Sequence, residues 1–140
     1  MNPSEVGARS EAAVLAALTA TGKEVLLPFS GHQRYDLAYE QDDRLVKVQV
    51  KTGRERGGVI LFPTHNINRS GGRRDYREDA DFFGVYCYEI EQVFMIPVAE
   101  VPLREASLRL RDTKNNQRTR VRWARDYLLS PQQRQFDASA

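Results

Sequence analysis

The chain has 140 residues, with 41% hydrophobic and 29% charged side chains and a formal net charge of +2. That is the size of one domain able to fill one core, and the composition suits a globular protein and argues against disorder. No apolar run reaches the ~18 residues of a membrane span, the N-terminus lacks a signal-peptide layout, and Cys87 is the lone cysteine, which fits a reducing cytoplasm.

Residues 4–20 are rich in alanine and leucine. Ala8, Glu11, Ala12, Leu15 and Leu18 recur at helical spacing, and Gly22 supplies a stop. A short apolar strand is expected over 24–28, followed by the loop Ser30-Gly31-His32-Gln33. Residues 35–40 and 44–51 read as a hairpin around Gln41-Asp42-Asp43. A basic connection over 53–58 leads to a third strand, Val59-Ile60-Leu61-Phe62, stopped by Pro63. The polar stretch 64–79 reads as a loop with a short helical piece, and 82–88 and 92–97 as two strands around an acidic turn. Cys87, inside the first of these, is expected in the core. A short helix is expected over 98–106, the pattern over 121–129 is undecided, and 136–140 reads as a frayed tail. With no repeat or linker, residues 1–140 are expected to form a single domain.

The run Val46-Lys47-Val48-Gln49-Val50-Lys51 carries the most chemistry. Period 2 places the valines on one face and Lys47, Gln49 and Lys51 on the other. Asp36 stands upstream on the paired strand, so Asp36, Gln49 and Lys51 can meet on one hairpin. A divalent metal takes hard oxygen ligands: the Asp36 carboxylate, the Gln49 amide oxygen, the Val50 carbonyl and, from the first helix, Glu11. Lys51 then stands where it can orient a water or offset phosphate charge. The plain alternative is a half-solvated strand and a solvated helix. His32 and His65 have no partner at zinc-ligand spacing.

Basic residues cluster in the middle and in the tail. Arg54, Arg56, Asn66, Asn68, Arg69, Arg73, Arg74 and Arg77, then Lys114, Arg118 and Arg120, are residue types that contact phosphates and bases. Basic patches on a nearly neutral chain point to a polyanion. A solvated polar loop is the plain alternative for each.

Glu11, Asp36 and Gln49-Val50-Lys51 together resemble the PD-(D/E)XK nuclease superfamily. Tyr35-Asp36-Leu37, Val48-Gln49-Val50-Lys51-Thr52, Gly58-Val59-Ile60 and the run from Asp81 to Cys87 look closer still to its intron-associated homing endonuclease branch. Lys114-Asn115-Asn116-Gln117 and Arg122-Trp123-Ala124 are similar to that branch's C-terminal pattern. The chain departs from the superfamily pattern at Tyr35, where proline is usual, and at Gln49, where Asp or Glu is usual. The homing branch is similar in having glutamine there.

The resemblance implies an α/β fold with a mixed β-sheet flanked by helices in αβββαβ order. It implies hydrolysis of phosphodiesters in double-stranded DNA with Mg²⁺ (or Mn²⁺), sequence-specific and of homing type. Glu11, Asp36, Gln49 and the Val50 carbonyl would hold metal, and Lys51 would assist the water. It also implies a homo-oligomer, a dimer or tetramer. A Holliday-junction resolvase or a repair or restriction nuclease shares the same core. A catalytically inactive DNA-binding domain of the same fold is the alternative from another class.

Overall fold

The computed structural model describes residues 1–31, 33–67, 73–75, 79–111 and 121–129. The chain opens with α1, Pro3–Ala20. Its start is fixed by a capping box in which the Asn2 side chain accepts from the Glu5 N–H and the Glu5 carboxylate accepts from the Asn2 N–H. Pro3 fits the first turn, which has no N–H partner to lose. The helix ends in a Schellman motif. Gly22 takes a φ of 90°, its N–H reaches the Thr19 carbonyl, and the Lys23 N–H reaches that of Leu18.

The strands are β1 (Val25–Leu26), β2 (Leu37–Gln41), β3 (Arg44–Arg56), β4 (Val59–Pro63), β5 (His65–Ile67), β6 (Arg73–Asp75), β7 (Phe82–Cys87), β8 (Gln92–Pro97) and β9 (Glu105–Arg109). β3 organises the sheet. It pairs antiparallel with β2 over Arg44 to Val48, parallel with β7 over Val48 to Gly53, and antiparallel with β4 over Arg54 to Arg56. β1 lies outside β2, β9 outside β4 and β8 outside β7. The result is a seven-stranded mixed sheet; β5 and β6 form a separate hairpin.

Both hairpin turns of β3 use left-handed backbone. Asp42 and Asp43 have φ of 53° and 62°, and Gly57 and Gly58 have 58° and 82°. Paired positive-φ residues make the tight turn whose twist suits adjacent strands.

The sheet buries both faces. On one, Val14 and Leu18 of α1 pack on Leu37, Tyr39, Val48, Val50 and Val93. On the other, β4 and β9 bring Ile60, Phe62, Ala106 and Leu108 against Phe83, Val85, Cys87, Phe94 and Ile96. Cys87 is a free, buried core residue as expected. The segment 121–129 crosses from β9 to β8. The Arg109 N–H reaches the Arg122 carbonyl, and the Met95 N–H reaches that of Tyr127.

The α/β class and the mixed sheet agree with the sequence reading; several boundaries do not. The 53–58 connection is strand up to Arg56, because Gly53 packs where a side chain would meet Ile60 and Val85. The expected helical piece in 64–79 is replaced, among the described residues, by β5 and β6. The expected helix over 98–106 is one 3-10 turn, Val98–Glu100, followed by β9. α1 is thus the one α-helix among the described residues, and the second helix of the αβββαβ order is not seen among them. The buried stripe of α1 is Ser10, Val14 and Leu18, whereas Ala8, Glu11 and Ala12 are exposed. The tail 136–140 lies outside the described residues.

Candidate active site

The site lies where β2 begins. Leu37, the first residue of β2, is opposite Val48 on β3, and Asp36 immediately precedes it. The Asp36 N–H still donates to the Val48 carbonyl at 2.9 Å, and its carboxylate accepts from the Val50 N–H at 2.8 Å. The Asp36 side chain therefore takes the place of the next residue of a neighbouring strand. In an extended strand the N–H and C=O of one residue face the same edge. The Val50 carbonyl thus faces the Asp36 side of β3.

Gln49 and Lys51 alternate with the buried valines, and both are half-buried rather than solvated. The Lys51 ammonium donates to the His65 carbonyl at 3.2 Å, at the start of β5. The His65 ring is turned away, with Nδ1 2.9 Å from the Arg104 carbonyl. Tyr35, in the position usual for proline, has its ring 5.5 Å from the Lys47 ammonium.

α1 supplies the second carboxylate. It is fixed to the sheet by the buried Ser10 hydroxyl, 2.6 Å from that of Thr52 on β3. The next residue, Glu11, faces an open depression of about 260 Å³ that it lines with Asp36, Tyr35, Gln33, Gly31, Pro28 and Leu27.

The charges are coupled. Glu11 is exposed by area, but partial desolvation against the sheet raises its carboxyl above the ordinary value, and the Asp36 charge raises it further. Burial raises Asp36 as well, against the pull of the Val50 N–H and of Lys51. Burial lowers the Lys51 ammonium to about 8, against the pull of Asp36. Glu11, Asp36 and Lys51 therefore form one interacting group; Gln49 joins it by strand alternation alone.

Two carboxylates that desolvation pushes toward protonation, Glu11 also by the charge of Asp36, form a site short of positive charge. A hard divalent cation such as Mg²⁺ answers that shortage. The oxygen donors available are those of Glu11, Asp36, the Gln49 amide and the Val50 carbonyl. No three His, Cys, Asp or Glu side chains gather as a metal cluster among the described residues. With Gln49 in place of a carboxylate, two anionic ligands are what the sequence provides here. The donor set fits one hard cation completed by neutral oxygens and water.

The expected nucleic-acid contacts are only partly placed. Arg54 and Arg56 are exposed at the end of β3. The Arg54 guanidinium lies 5.0 Å from the centre of the Tyr88 ring and donates to the Tyr88 hydroxyl. The backbones of Asn66, on β5, and of Arg73 and Arg74, on β6, sit in the small hairpin next to the Lys51 acceptor. Asn68, Arg69, Arg77, Lys114, Arg118, Arg120 and His32 lie outside the described residues. Sequence reasoning missed the Ser10–Thr52 bond, the His65 carbonyl and the Leu27-Pro28 wall. A lone serine within an apolar helical stripe was the available signal for the first; a backbone acceptor leaves none.

A mixed sheet, a helix bearing Glu11, Asp36 just before β2 and Lys51 midway along β3 are arranged as a nuclease-type fold would place them. The chain belongs to the PD-(D/E)XK endonuclease family, whose profile matches residues 1–130. In fold it is similar to a bacterial homing endonuclease, I-Ssp6803I. The two share 24% identity at a TM-score of 0.71, over 99% of this chain and 97% of that one. No curated protein sequence matches it.

Proposed function

We propose that this protein is a Mg²⁺-dependent endonuclease that cuts double-stranded DNA at a specific sequence, as a homing enzyme does. The observation that carries this is the coupled group of Glu11, Asp36 and Lys51 at the open end of β2, in a chain of the PD-(D/E)XK family. The homing assignment rests on Gln49 and on the likeness of fold to I-Ssp6803I.

Glu11, Asp36, Gln49 and the Val50 carbonyl would hold the cation. When bound, such a cation lowers the pKa of coordinated water and polarises a phosphoryl oxygen. The protein does the rest. Asp36 is kept from swinging by the Val50 N–H. Lys51 is aimed by the His65 carbonyl and stays largely protonated below its pKa of about 8. Its Nζ–H donates toward the phosphate oxygen that gains charge, where a point charge stabilises the transition state. The Ser10–Thr52 bond holds α1, and so Glu11, at a fixed height over the sheet.

Genomic fragments incubated with Mg²⁺ should be cut at a small set of sites that sequencing of the ends maps. EDTA, Lys51→Ala and Asp36→Ala should each abolish the cut. Gln49, a neutral amide where a carboxylate is usual, favours a second reading, a DNA-binding module without catalysis. Tight DNA binding with no metal-dependent cutting would establish that reading instead. Preference for a four-way junction over any linear site would indicate a resolvase.

A further inference from the structure

The segment between β1 and Asp36 is unusually apolar for where it stands. Leu26 is 43% exposed, Leu27 62% and Phe29 105%. Of the eight large exposed hydrophobic side chains among the described residues, three therefore fall within four consecutive positions. Exposed apolar residues scattered singly are ordinary, whereas a cluster marks a contact surface.

Its position says what touches it. Leu27 and Pro28 form the wall of the same depression that holds Glu11 and Asp36. A phosphodiester seated on those carboxylates would have its sugar against that wall. Successive bases of one strand lie ~3.4 Å apart along the axis, so the adjoining step is within reach of the next side chain, Phe29. Pro28 fixes its own φ and stiffens the segment. No acidic residue stands between Glu24 and Asp36, and the first charge after the apolar run is the exposed Arg34, paired with Asp79 at 3.5 Å. The segment itself therefore sets no negative charge against a polyanion.

We propose that the 26–29 segment is a DNA wedge. Leu27 and Pro28 pack on the deoxyribose beside the scissile phosphate, and the Phe29 ring enters the adjoining base step and unstacks it. Apolar wedges of this kind kink a duplex and present its backbone differently. This inference rests on the DNA-cleaving reading above.

The test uses a duplex carrying a mapped cleavage site, with 2-aminopurine at the steps flanking the cut. It is bound in Mg²⁺ by Lys51→Ala protein, and cleavage is followed separately with Lys51 intact. Fluorescence should rise at one flanking step on binding, fall back to that of free duplex with Phe29→Ala, and persist with Phe29→Trp. Single-turnover cleavage by Phe29→Ala should slow by about ten- to a hundredfold, the range that loss of one base–aromatic stack gives. Its melting temperature should not change, because the ring is exposed. Normal fluorescence and cleavage in Phe29→Ala overturn the wedge and leave the nuclease reading standing. A reduced molar mass with unchanged fluorescence makes the segment a subunit contact and also overturns it. If the wild-type protein cuts no DNA, both readings fall.

Discussion

Glu11 and Asp36 are unfavourable neighbours in the metal-free protein, and this has a measurable sign. Both carboxyls are raised in the folded chain, from ordinary values of 4.5 and 3.8. The folded protein then holds protons that the unfolded chain has already released. Their contribution to stability is present below those ordinary values and is lost as pH rises through the raised ones. In EDTA, urea stability followed upward from pH 4 should fall more in wild type than in Glu11→Gln, and less difference than experimental error would refute the coupling. Mg²⁺ at neutral pH should reverse the loss: a ligand at 100 times its Kd stabilises by about 2.7 kcal/mol. A rise of several degrees in melting temperature is expected in wild type and none in Asp36→Asn, whatever the activity. Lys51 acts in the opposite sense. Its pKa of about 8 lies below the ordinary 10.5, so between those values the unfolded chain binds more protons and stability rises with pH. At neutral pH, below that value, the Lys51 ammonium stays largely protonated. Lys51→Met should therefore lower the cleavage rate by about 10²–10³, the loss typical of one transition-state charge donor. DNA affinity, read by anisotropy, should change little.

β3 and α1 have to meet at close range for Glu11 to reach Asp36, and Gly84 makes that possible. A Cβ there would lie 2.8 Å from Val14 Cγ1 and 3.0 Å from Val48 Cγ1. Gly84→Ala should push the helix off the sheet and cost about 1–3 kcal/mol, the usual range for overpacking. Cleavage should fall further than the folded fraction does, because Glu11 moves with the helix. Activity that simply tracks the folded fraction would show that the helix position does not matter. The same two elements show what a sequence discloses. Val46, Val48 and Val50 alternate strictly with Lys47, Gln49 and Lys51, so the strand and its two faces were readable. Gly53 was not readable as strand, because glycine marks a turn locally, and only contact with Ile60 and Val85 shows that it fills a tight interior position. The helix was legible in extent but not in orientation. Its buried stripe includes Ser10, which hydrophobic periodicity passes over and which the Thr52 hydroxyl satisfies. β9 was missed because Glu105 to Arg109 is short and mostly polar outside Ala106 and Leu108, and its pairing with β4 is a distant contact. That Asp36 and Lys51 lie on adjoining strands was legible from local alternation; the closeness of Glu11 to Asp36 depends on how the helix packs.

A chain of 16.0 kDa with a net charge of +2 has a geometric problem if it is to break a duplex. It carries one group of Glu11, Asp36 and Lys51, and one such group addresses one phosphodiester. The two strands of DNA run antiparallel, so equivalent cuts on both are related by a two-fold axis. A second copy on that axis presents the same site to the other strand, the arrangement in which closed symmetry and a palindromic contact match. Two copies also double the basic surface, which matters because affinity for DNA grows with each phosphate neutralised, at a salt slope of about −0.9 per contact. The exposed Arg54 and Arg56 at the end of β3 supply only part of that surface in one copy. We therefore predict a molar mass by light scattering of at least twice 16.0 kDa at micromolar concentration, and a supercoiled plasmid bearing the site converted to linear form without accumulation of the nicked circle. A monomer that nonetheless linearises the plasmid in one encounter would contradict the symmetry argument. A monomer that only nicks would place the chain among single-strand cutters and remove the homing assignment while leaving the catalytic group intact.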